Sequence, residues 1–575
     1  MRSYKEEYDY WMSSPVVDDI CKKNLAAIAD DDEEIKGRFG QMLTFGTAGL
    51  RGIMKAGLNN MNIYTVRHAT QAMANVIIRN GGQEGGNSTE GHGVAIAYDC
   101  RNNSPLFASE AAQVLAANGI KSYLFDEMRP TPELSFAVRE TGSIAGINIT
   151  ASHNAKEYNG YKVYWADGAQ MAPDKADAVA AEIKAIDIFA DVKTMPLDEA
   201  KAAGLIQMIG AEVDEKYLAK VQEQSVGKKY IDAAAKDIKI VYSPFHGAGY
   251  KLVPEVLRRI GITDIIPVEE QMIPDGNFPT VKSPNPENTE GFALAIEYAK
   301  KNDADIVIGT DPDSDRCGAV VRKHSDGGNG DDNYMVLSGN QEACLMLDYL
   351  INVKKEQGIL ASNAAVCRSI VSTTMADAIC EAHGIKCFQV LTGFKFIGEK
   401  IKEFEETGDY TFLFGFEEAI GFLAGTYARD KDAVVATMLM AEVGCYYKSK
   451  GMTVYEGLQD LYKKYGYFVE KTESFWFEGY DAQEKMSNVM VALRANPPKS
   501  INSAVIKTVD YLDDIPGFTK SNVLAYTLED GCTCIVRPSG TEPRVKCYIL
   551  AKGADADEAQ SRCAAMLSTM KDILK

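Results

Sequence analysis

The chain lacks any apolar run long enough to cross a bilayer. Its greasiest stretch, Ala433 to Tyr447, holds Glu442 and falls short of the roughly 20 residues that a spanning helix needs. The first residues, Met1-Arg2-Ser3-Tyr4-Lys5-Glu6-Glu7, contain no apolar core of signal-peptide length. No zinc-type C-x-x-C pair occurs, and among twelve scattered cysteines only Cys532 and Cys534 stand close together. Free thiols in a reducing, cytoplasmic setting are therefore expected, and the sequon Asn87-Ser88-Thr89 then has no consequence. Positive charge is in deficit: 61 Lys and Arg stand against 81 Asp and Glu, a net −20. That balance disfavours nucleic acid and anionic membrane as partners of the whole surface, but leaves room for a small anion in a local basic pocket. Of the histidines, His68, His92, His246, His324 and His383 show no metal-ligand spacing.

What is present is an ordinary globular composition, 46% hydrophobic and 25% charged, in 575 residues. That is too long for a single core and suggests roughly three to five domains. A pattern recurs three times. An apolar strand (Val94–Tyr98, Ile238–Tyr242, Ala364–Cys367) leads to a polar loop, then to a helix-like stretch. Each helix stops at a Gly-Ile pair, at Gly119, Gly261 and Gly384. A second strand follows (Ser122–Phe125, Asp264–Val268, Cys387–Val390), and a third ends in a functional loop. From the stop glycine to the key residue is 33 positions in the first and third units; the second is longer because Pro274 to Gly291 reads as an inserted loop. Alternating strands and helices imply α/β layers. Ligands bind at the carboxyl ends of such strands, so three units would point three loops into one cleft. From about Tyr465 the pattern changes to short strands, Val523–Thr527, Cys532–Val536 and Val545–Leu550, closed by a helix from Ala556 to Leu574, the reading of a small α+β domain.

The loops carry the chemistry. Thr150-Ala151-Ser152-His153-Asn154 follows the strand-like Ile144–Ile149 and offers a hydroxyl, with Lys162 shortly after. A hydroxyl is a weak nucleophile that needs neighbouring charge or a metal, and the competing reading is a helix N-cap. Asp311-Pro312-Asp313-Ser314-Asp315-Arg316 follows the strand-like Ala304–Gly309 and offers three alternating carboxylates, a donor set for a hard divalent cation. An EF-hand loop is excluded, because Arg316 and Arg322 stand where its glycine and glutamate belong. In Arg537-Pro538-Ser539-Gly540-Thr541-Glu542-Pro543-Arg544, two arginine forks and two hydroxyls suit a phosphate, and the same residues suit a hairpin turn. Glu417-Glu418 lies among aromatics and glycine and can accept hydrogen bonds from sugar hydroxyls or form a solvated face. Gly46 to Gly52 presents Arg51 in a glycine-rich loop, phosphate-facing or merely a turn.

Together these loops resemble those of the α-D-phosphohexomutase superfamily, in an order and spacing that span essentially the whole chain. Thr150–Asn154 looks like its phosphoserine loop, Asp311–Arg316 its metal loop, Glu417–Gly421 its sugar loop and Arg537–Arg544 its phosphate loop. The resemblance implies three similar mixed-sheet α/β domains and a C-terminal α+β domain around a central cleft: residues 1–225 with the phosphoserine, 226–330 with the metal, 331–464 with the sugar loop and 465–575 with the phosphate loop. It implies a phosphoserine at Ser152 and one Mg²⁺ held by Asp311, Asp313, Asp315 and the serine, flanked by Arg316 and Asn154. It makes Lys162, His153 and Lys395 candidates for proton transfer beside Arg51. Thr392-Gly393-Phe394-Lys395 is similar to the loop that tells substrates apart, and Arg429-Asp430-Lys431 to a basic segment near the moving phosphate. Arg537, Ser539, Gly540, Thr541 and Arg544 would hold the resting phosphate.

The implied reaction is reversible conversion of glucose 1-phosphate to glucose 6-phosphate through a sugar 1,6-bisphosphate, which also acts as activator; the partner is a small sugar phosphate. One departure stands out. Glucose-specific members commonly carry Glu-x-Ser, and here the residues are Glu417-Glu418-Ala419. The form resembles a branch with phosphopentomutases and glucose-1,6-bisphosphate synthases besides bacterial phosphoglucomutases, so phosphopentomutase or phosphomannomutase action is the alternative. An aspartyl-phosphate phosphatase leaves Ser152 and the Arg537 loop unexplained, and a non-catalytic sugar-phosphate binder has no need of a metal triad.

Overall fold

The computed structural model describes residues 2–46, 49–80, 93–324, 333–479, 481–539 and 543–574. They divide into two compact units: residues 1–322, 326–336 and 421–449 form one, and residues 323–325, 337–420 and 450–575 the other.

In the first unit, β1 (Leu50–Ile53), β2 (Val94–Tyr98), β3 (Ser122–Phe125), β4 (Ala145–Ile149), β5 (Tyr158–Trp165) and β6 (Ile206–Ile209) form one sheet in the order β1-β5-β4-β2-β3-β6. Pairing is parallel from β4 through β2 and β3 to β6 and antiparallel at β4–β5 and β5–β1. The central strands are mostly apolar, as strands covered on both faces are, with Ser122 and Asn148 the buried polar exceptions. A second sheet takes β7 (Ile240–Ser243), β8 (Ile265–Pro267), β9 (Ile306–Thr310), β10 (Cys317–Arg322) and β11 (Tyr334–Val336) in the order β11-β10-β9-β7-β8. The apolar run at 433–447 is a helix, Ala433–Lys448, buried through Tyr447 against helices Lys228–Ala234 and Gly249–Ile260. Among the described residues no helix is long and apolar enough to cross a membrane.

In the second unit, β12 (Ala364–Ser369) lies between β13 (Lys386–Val390) and β14 (Thr411–Glu417), all parallel. The short β15 (Gly421–Leu423) returns the chain to the first unit. The three α/β domains thus share one core, β3-β2-β4, β8-β7-β9 and β13-β12-β14, with the first strand always central. The stop glycines Gly119, Gly261 and Gly384 all have positive φ, the left-handed geometry that ends a helix.

The last domain is antiparallel. β16 (Tyr467–Trp476), β17 (Ser500–Ile501), β18 (Ser503–Asp510), β19 (Leu524–Leu528), β20 (Thr533–Pro538) and β21 (Arg544–Gly553) run in the order β16-β21-β20-β19-β18-β17. Alternation divides its faces. Val545, Cys547 and Ile549 pack with helices Ala482–Ala495 and Ala556–Leu574, while Tyr548 and Leu550 pack with Ile370, Val371 and Leu391 of the neighbouring α/β domain. All twelve cysteines are free.

Candidate active site

Each α/β domain delivers its functional loop from the carboxyl end of its third strand, and each loop holds a non-glycine residue in the left-handed region. These are Ser152 (φ 51°) after β4, Ser314 (φ 51°) after β9 and Ile420 (φ 52°) after β14. That conformation is uncommon for serine and an outlier for a β-branched residue, and such residues concentrate at functional sites. Ser152 stands in a turn, not at the start of a helix, so the N-cap reading falls.

In the first unit the two loops meet. The Ser152 hydroxyl donates to Asp311 Oδ2 at 2.7 Å and lies 3.1 Å from His153 Nδ1. The Ser152 N–H donates to Thr150 Oγ1, which donates to Asp99 Oδ2. Asp311 Oδ1 accepts the backbone N–H groups of Asp315 and Arg316 at 3.1 and 3.0 Å, so the aspartate loop closes on its own first carboxylate. Thr131 opens a helix with its hydroxyl on Asp313 Oδ2 at 2.7 Å and its N–H on the Asp313 carbonyl. Nothing in the sequence around Thr131 marked it.

Strand β5 supplies the cation. Lys162 and Tyr164 share one face by the period of two. Lys162 Nζ donates to Asp313 Oδ2 at 2.6 Å and Asp315 Oδ2 at 2.9 Å, and Tyr164 donates to Asp430 at 2.7 Å. Lys431 approaches Asp315 Oδ2 at 3.5 Å and Asp430 at 3.1 Å, because the Ala433 N–H bonds the Ser314 carbonyl and draws residues 429–432 against the aspartate loop. Arg51, on β1, donates to Asn154 at 3.0 Å. Arg316 reaches Glu287 at 3.5 Å.

The electrostatics follow from burial. Asp311, Asp313 and Asp315 are all essentially inaccessible. Burial, then the charges of Asp313 and Asp315, pushes the Asp311 carboxyl well above its ordinary range. Burial acts the same way on Asp315, but Lys162, Lys431 and Arg316 outweigh it and hold that carboxyl low. Lys162 is held above its ordinary range, since Asp313 and Asp315 outweigh the cost of burying it. Burial, with Arg316 and Arg51 nearby, keeps His153 far below its usual value and hence neutral.

One ligand atom from each aspartate lies within 4.8 Å of the others. The buried Oδ1 atoms of Asp313 and Asp315 have no hydrogen-bond partner, a costly state for a carboxylate oxygen unless a cation completes it. Three buried carboxylates, two of them with a free oxygen, therefore fit a hard divalent cation.

The remaining candidates lie in the second unit. Glu417 accepts the Gly393 N–H at 2.7 Å, which ties the end of β14 to the Thr392–Lys395 turn, where Gly393 has φ 124°. Glu418 Oε2 accepts from the hydroxyls of Ser369 at 2.9 Å and Ser372 at 3.4 Å. The buried Arg368 donates to both serine carbonyls and pairs with Asp377. Glu417 and Glu418 are thus positioned groups, not a solvated face. The sequence signal for Ser369 and Ser372 was available: Ser369 ends β12 and Ser372 lies in the polar loop after it. Burial lowers the Lys395 ammonium, with Glu399 opposing; its chain lies over the Phe396 ring.

β20 and β21, which flank the Arg537–Arg544 segment, pair antiparallel, with Arg537 opposite Lys546 and Pro538 opposite Val545. The Ser539 N–H donates to the Arg544 carbonyl at 2.8 Å, and the Arg544 guanidinium lies 4.7 Å from the centre of the Trp476 ring. Burial, with Glu418 nearby, raises the Tyr548 hydroxyl to about 12 against the hydrogen bond from Arg537, so Arg537 and the glutamates share one neighbourhood. Gly540 and Thr541 lie outside the described residues.

Models of the phosphoglucomutase/phosphomannomutase alpha/beta/alpha domains I, II and III match residues 42–188, 215–327 and 338–465 in that order. A phosphoglucomutase of Staphylococcus epidermidis is 34% identical over 547 residues, 93% of this chain and 95% of the relative. A phosphoglucomutase of Staphylococcus aureus is 34% identical over 564 residues, 96% of each. Two solved structures share the fold. Paramecium pp63/parafusin, a phosphoglucomutase in its open form, has a TM-score of 0.69 at 16% identity and covers 93% of this chain and 95% of its own. A phosphoglucomutase/phosphomannomutase family protein from Burkholderia thailandensis has a TM-score of 0.65 at 18% identity, over 92% and 97%.

Proposed function

Because the chain belongs to the phosphoglucomutase/phosphomannomutase family of the α-D-phosphohexomutases and is a mutase, we propose that it interconverts glucose 1-phosphate and glucose 6-phosphate with Ser152 as the phosphoryl carrier. The carrying observation is the buried contact of the Ser152 hydroxyl with Asp311, inside a triad with two unpartnered carboxylate oxygens.

The bond between phosphorus and Ser152 Oγ breaks as a bond forms to the free hydroxyl of the sugar monophosphate, and that hydroxyl gives up its proton. The resulting 1,6-bisphosphate turns end for end. Its other phosphoryl group then passes to Ser152 Oγ, and the new sugar oxygen takes a proton. Asp311, Asp313 and Asp315 would hold the Mg²⁺, which when bound would supply charge neutralisation for the transfer. His153, neutral and beside Ser152 Oγ, is suited to accept the hydroxyl proton. Lys162, held protonated by two carboxylates, is suited to steady the charge that grows on the moving group and to return a proton. Arg51 and Lys431 add positive charge around the same loops, with Asn154 and Arg316 beside them.

In the second unit Glu417 and Glu418 take the sugar hydroxyls, Thr392, Gly393 and Lys395 bear on which sugar is accepted, and Arg537, Ser539, Gly540, Thr541 and Arg544 take the resting phosphate. The domains so used are residues 1–225, 226–330, 331–464 and 465–575. A sugar 1,6-bisphosphate primes an enzyme that has lost its serine phosphate.

The test has two arms. Intact-mass measurement of purified protein is expected to show one added phosphoryl group that localises to Ser152. A coupled assay on glucose 1-phosphate with a trace of glucose 1,6-bisphosphate is expected to show turnover. Turnover of ribose 1-phosphate far above that of glucose 1-phosphate would move the substrate to pentoses, and a protein that releases inorganic phosphate without isomerising the sugar would end the reading.

A further inference from the structure

Arg101 stands in the loop after β2, buried, and touches neither the aspartate triad nor the sugar-loop glutamates. The five N–H groups of a guanidinium can donate in a fixed planar fork, and here the two terminal nitrogens meet four backbone acceptors. Nη1 donates to the carbonyls of Ala155 at 2.9 Å and Tyr158 at 3.0 Å. Nη2 donates to the carbonyls of Ser152 at 2.6 Å and Asn154 at 2.5 Å. Nε lies 3.2 Å from Asp99 Oδ2. All four hydrogen-bond acceptors are backbone oxygens of the segment that presents Ser152. Asp99, the ion-pair partner of Arg101, accepts from Thr150 Oγ1, which in turn takes the Ser152 N–H. Both the N–H and the carbonyl of Ser152 therefore lead back to one buried pair, Asp99 and Arg101. From the other side the Phe278 ring lies 5.2 Å from the guanidinium carbon, and Phe278 itself sits at φ 48°.

We propose that Arg101 is the positioning residue of the phosphoryl-carrying loop: its fork holds the left-handed turn at Ser152 that aims Oγ at Asp311. The proposal rests on the reading of Ser152 as phosphoryl carrier. Lysine cannot replace it, since three donors on one nitrogen satisfy at most three of the four carbonyls. Ala155 and Phe278, which contact Arg101, also line a cavity of about 500 Å³, which borders the position that a truncated side chain leaves.

The experiment compares Arg101→Ala and Arg101→Lys with the unaltered protein, by kcat and KM on glucose 1-phosphate with glucose 1,6-bisphosphate present. Both variants should lose about 100-fold in kcat, the effect of misplacing a reacting group by about 1 Å, while KM holds. Millimolar guanidinium chloride should return part of kcat to the alanine variant and none to the lysine variant, and equal urea or sodium chloride should do nothing. If the alanine variant does not fold, the lysine variant decides, because it keeps a cation beside Asp99. Unaltered kcat in Arg101→Lys overturns the proposal. So does a KM that rises in step with the lost kcat, or failure of both variants to fold, which would make Arg101 an element of the fold alone. Absence of turnover in the unaltered protein would strike the mutase reading instead.

Discussion

Around Ser152 and the aspartates, recognition is by buried charge on buried charge: Lys162 bridges Asp313 and Asp315, Lys431 approaches Asp315, and the loop amides close on Asp311. Around Glu417 and Glu418, the contacts include a backbone N–H and two serine hydroxyls, and in the last domain Arg544 packs on the half-exposed Trp476. The contrast matches two tasks. Moving a phosphoryl group needs charges fixed in advance, because preorganised dipoles and ions need no rearrangement at the moment of reaction. Holding a sugar that must return end for end needs groups that accept more than one hydroxyl pattern. Neutral hydrogen bonds are each worth only about 0.5–1.5 kcal/mol, so losing one leaves binding largely intact.

The sharpest way to break the comparison is to remove the carrier. Ser152→Ala should bring turnover to background while sugar phosphate still binds by calorimetry. Measurable wild-type-like turnover would sink the carrier role. Next, Asp313→Asn should cost on the order of 10²–10³-fold in kcat, the several kcal/mol that a metal contributes to charge stabilisation. Excess chelator should silence the unaltered protein and added Mg²⁺ restore it, without rescue of the variant; full activity in chelator refutes the metal.

On the sugar side the effects should be smaller. Ala419→Ser adds one neutral hydrogen bond and should shift kcat/KM toward glucose 1-phosphate, relative to mannose 1-phosphate and ribose 1-phosphate, by roughly three- to tenfold. No shift on any of the three sugars would remove Ala419 from the specificity argument.

The smallest effect concerns stability in the second unit. Burial raises Glu470 to about 7, with hydrogen bonds from Thr373 and Asn340 opposing. A raised carboxyl binds its proton more tightly when folded, so its contribution is present below the ordinary glutamate range and is lost as pH rises through about 7. The thermal midpoint of the unaltered protein should therefore fall more between about pH 5 and pH 8 than that of Glu470→Gln. Parallel curves for the two proteins would show that Glu470 is not the source.

Much of this was legible in the linear chain. The threefold strand–helix pattern, the stop glycines, the all-buried strands and the alternating last domain follow from local periodicity and composition. Strand Val94–Tyr98 and helix Ala556–Leu574 are where the pattern puts them. The aspartate triad was equally visible, because alternate carboxylates after a buried strand carry their own chemistry. Contacts between distant segments were not visible. Thr131 reaches Asp313 across 182 positions, Lys162 across 151, and Tyr164 reaches Asp430 across 266. An arginine that bonds four carbonyls has no sequence signature, since every residue carries a carbonyl.

By itself the sequence determined which residues have the chemistry and which faces they occupy, because hydropathy period, turn residues and charge are local properties. Only the tertiary structure decided which of those groups share a buried volume. It alone set which of two neighbouring aspartates is pushed up and which is held low, and which backbone turn Ser152 adopts. Those outcomes depend on distance and desolvation, and both are fixed only when segments hundreds of residues apart close on one another.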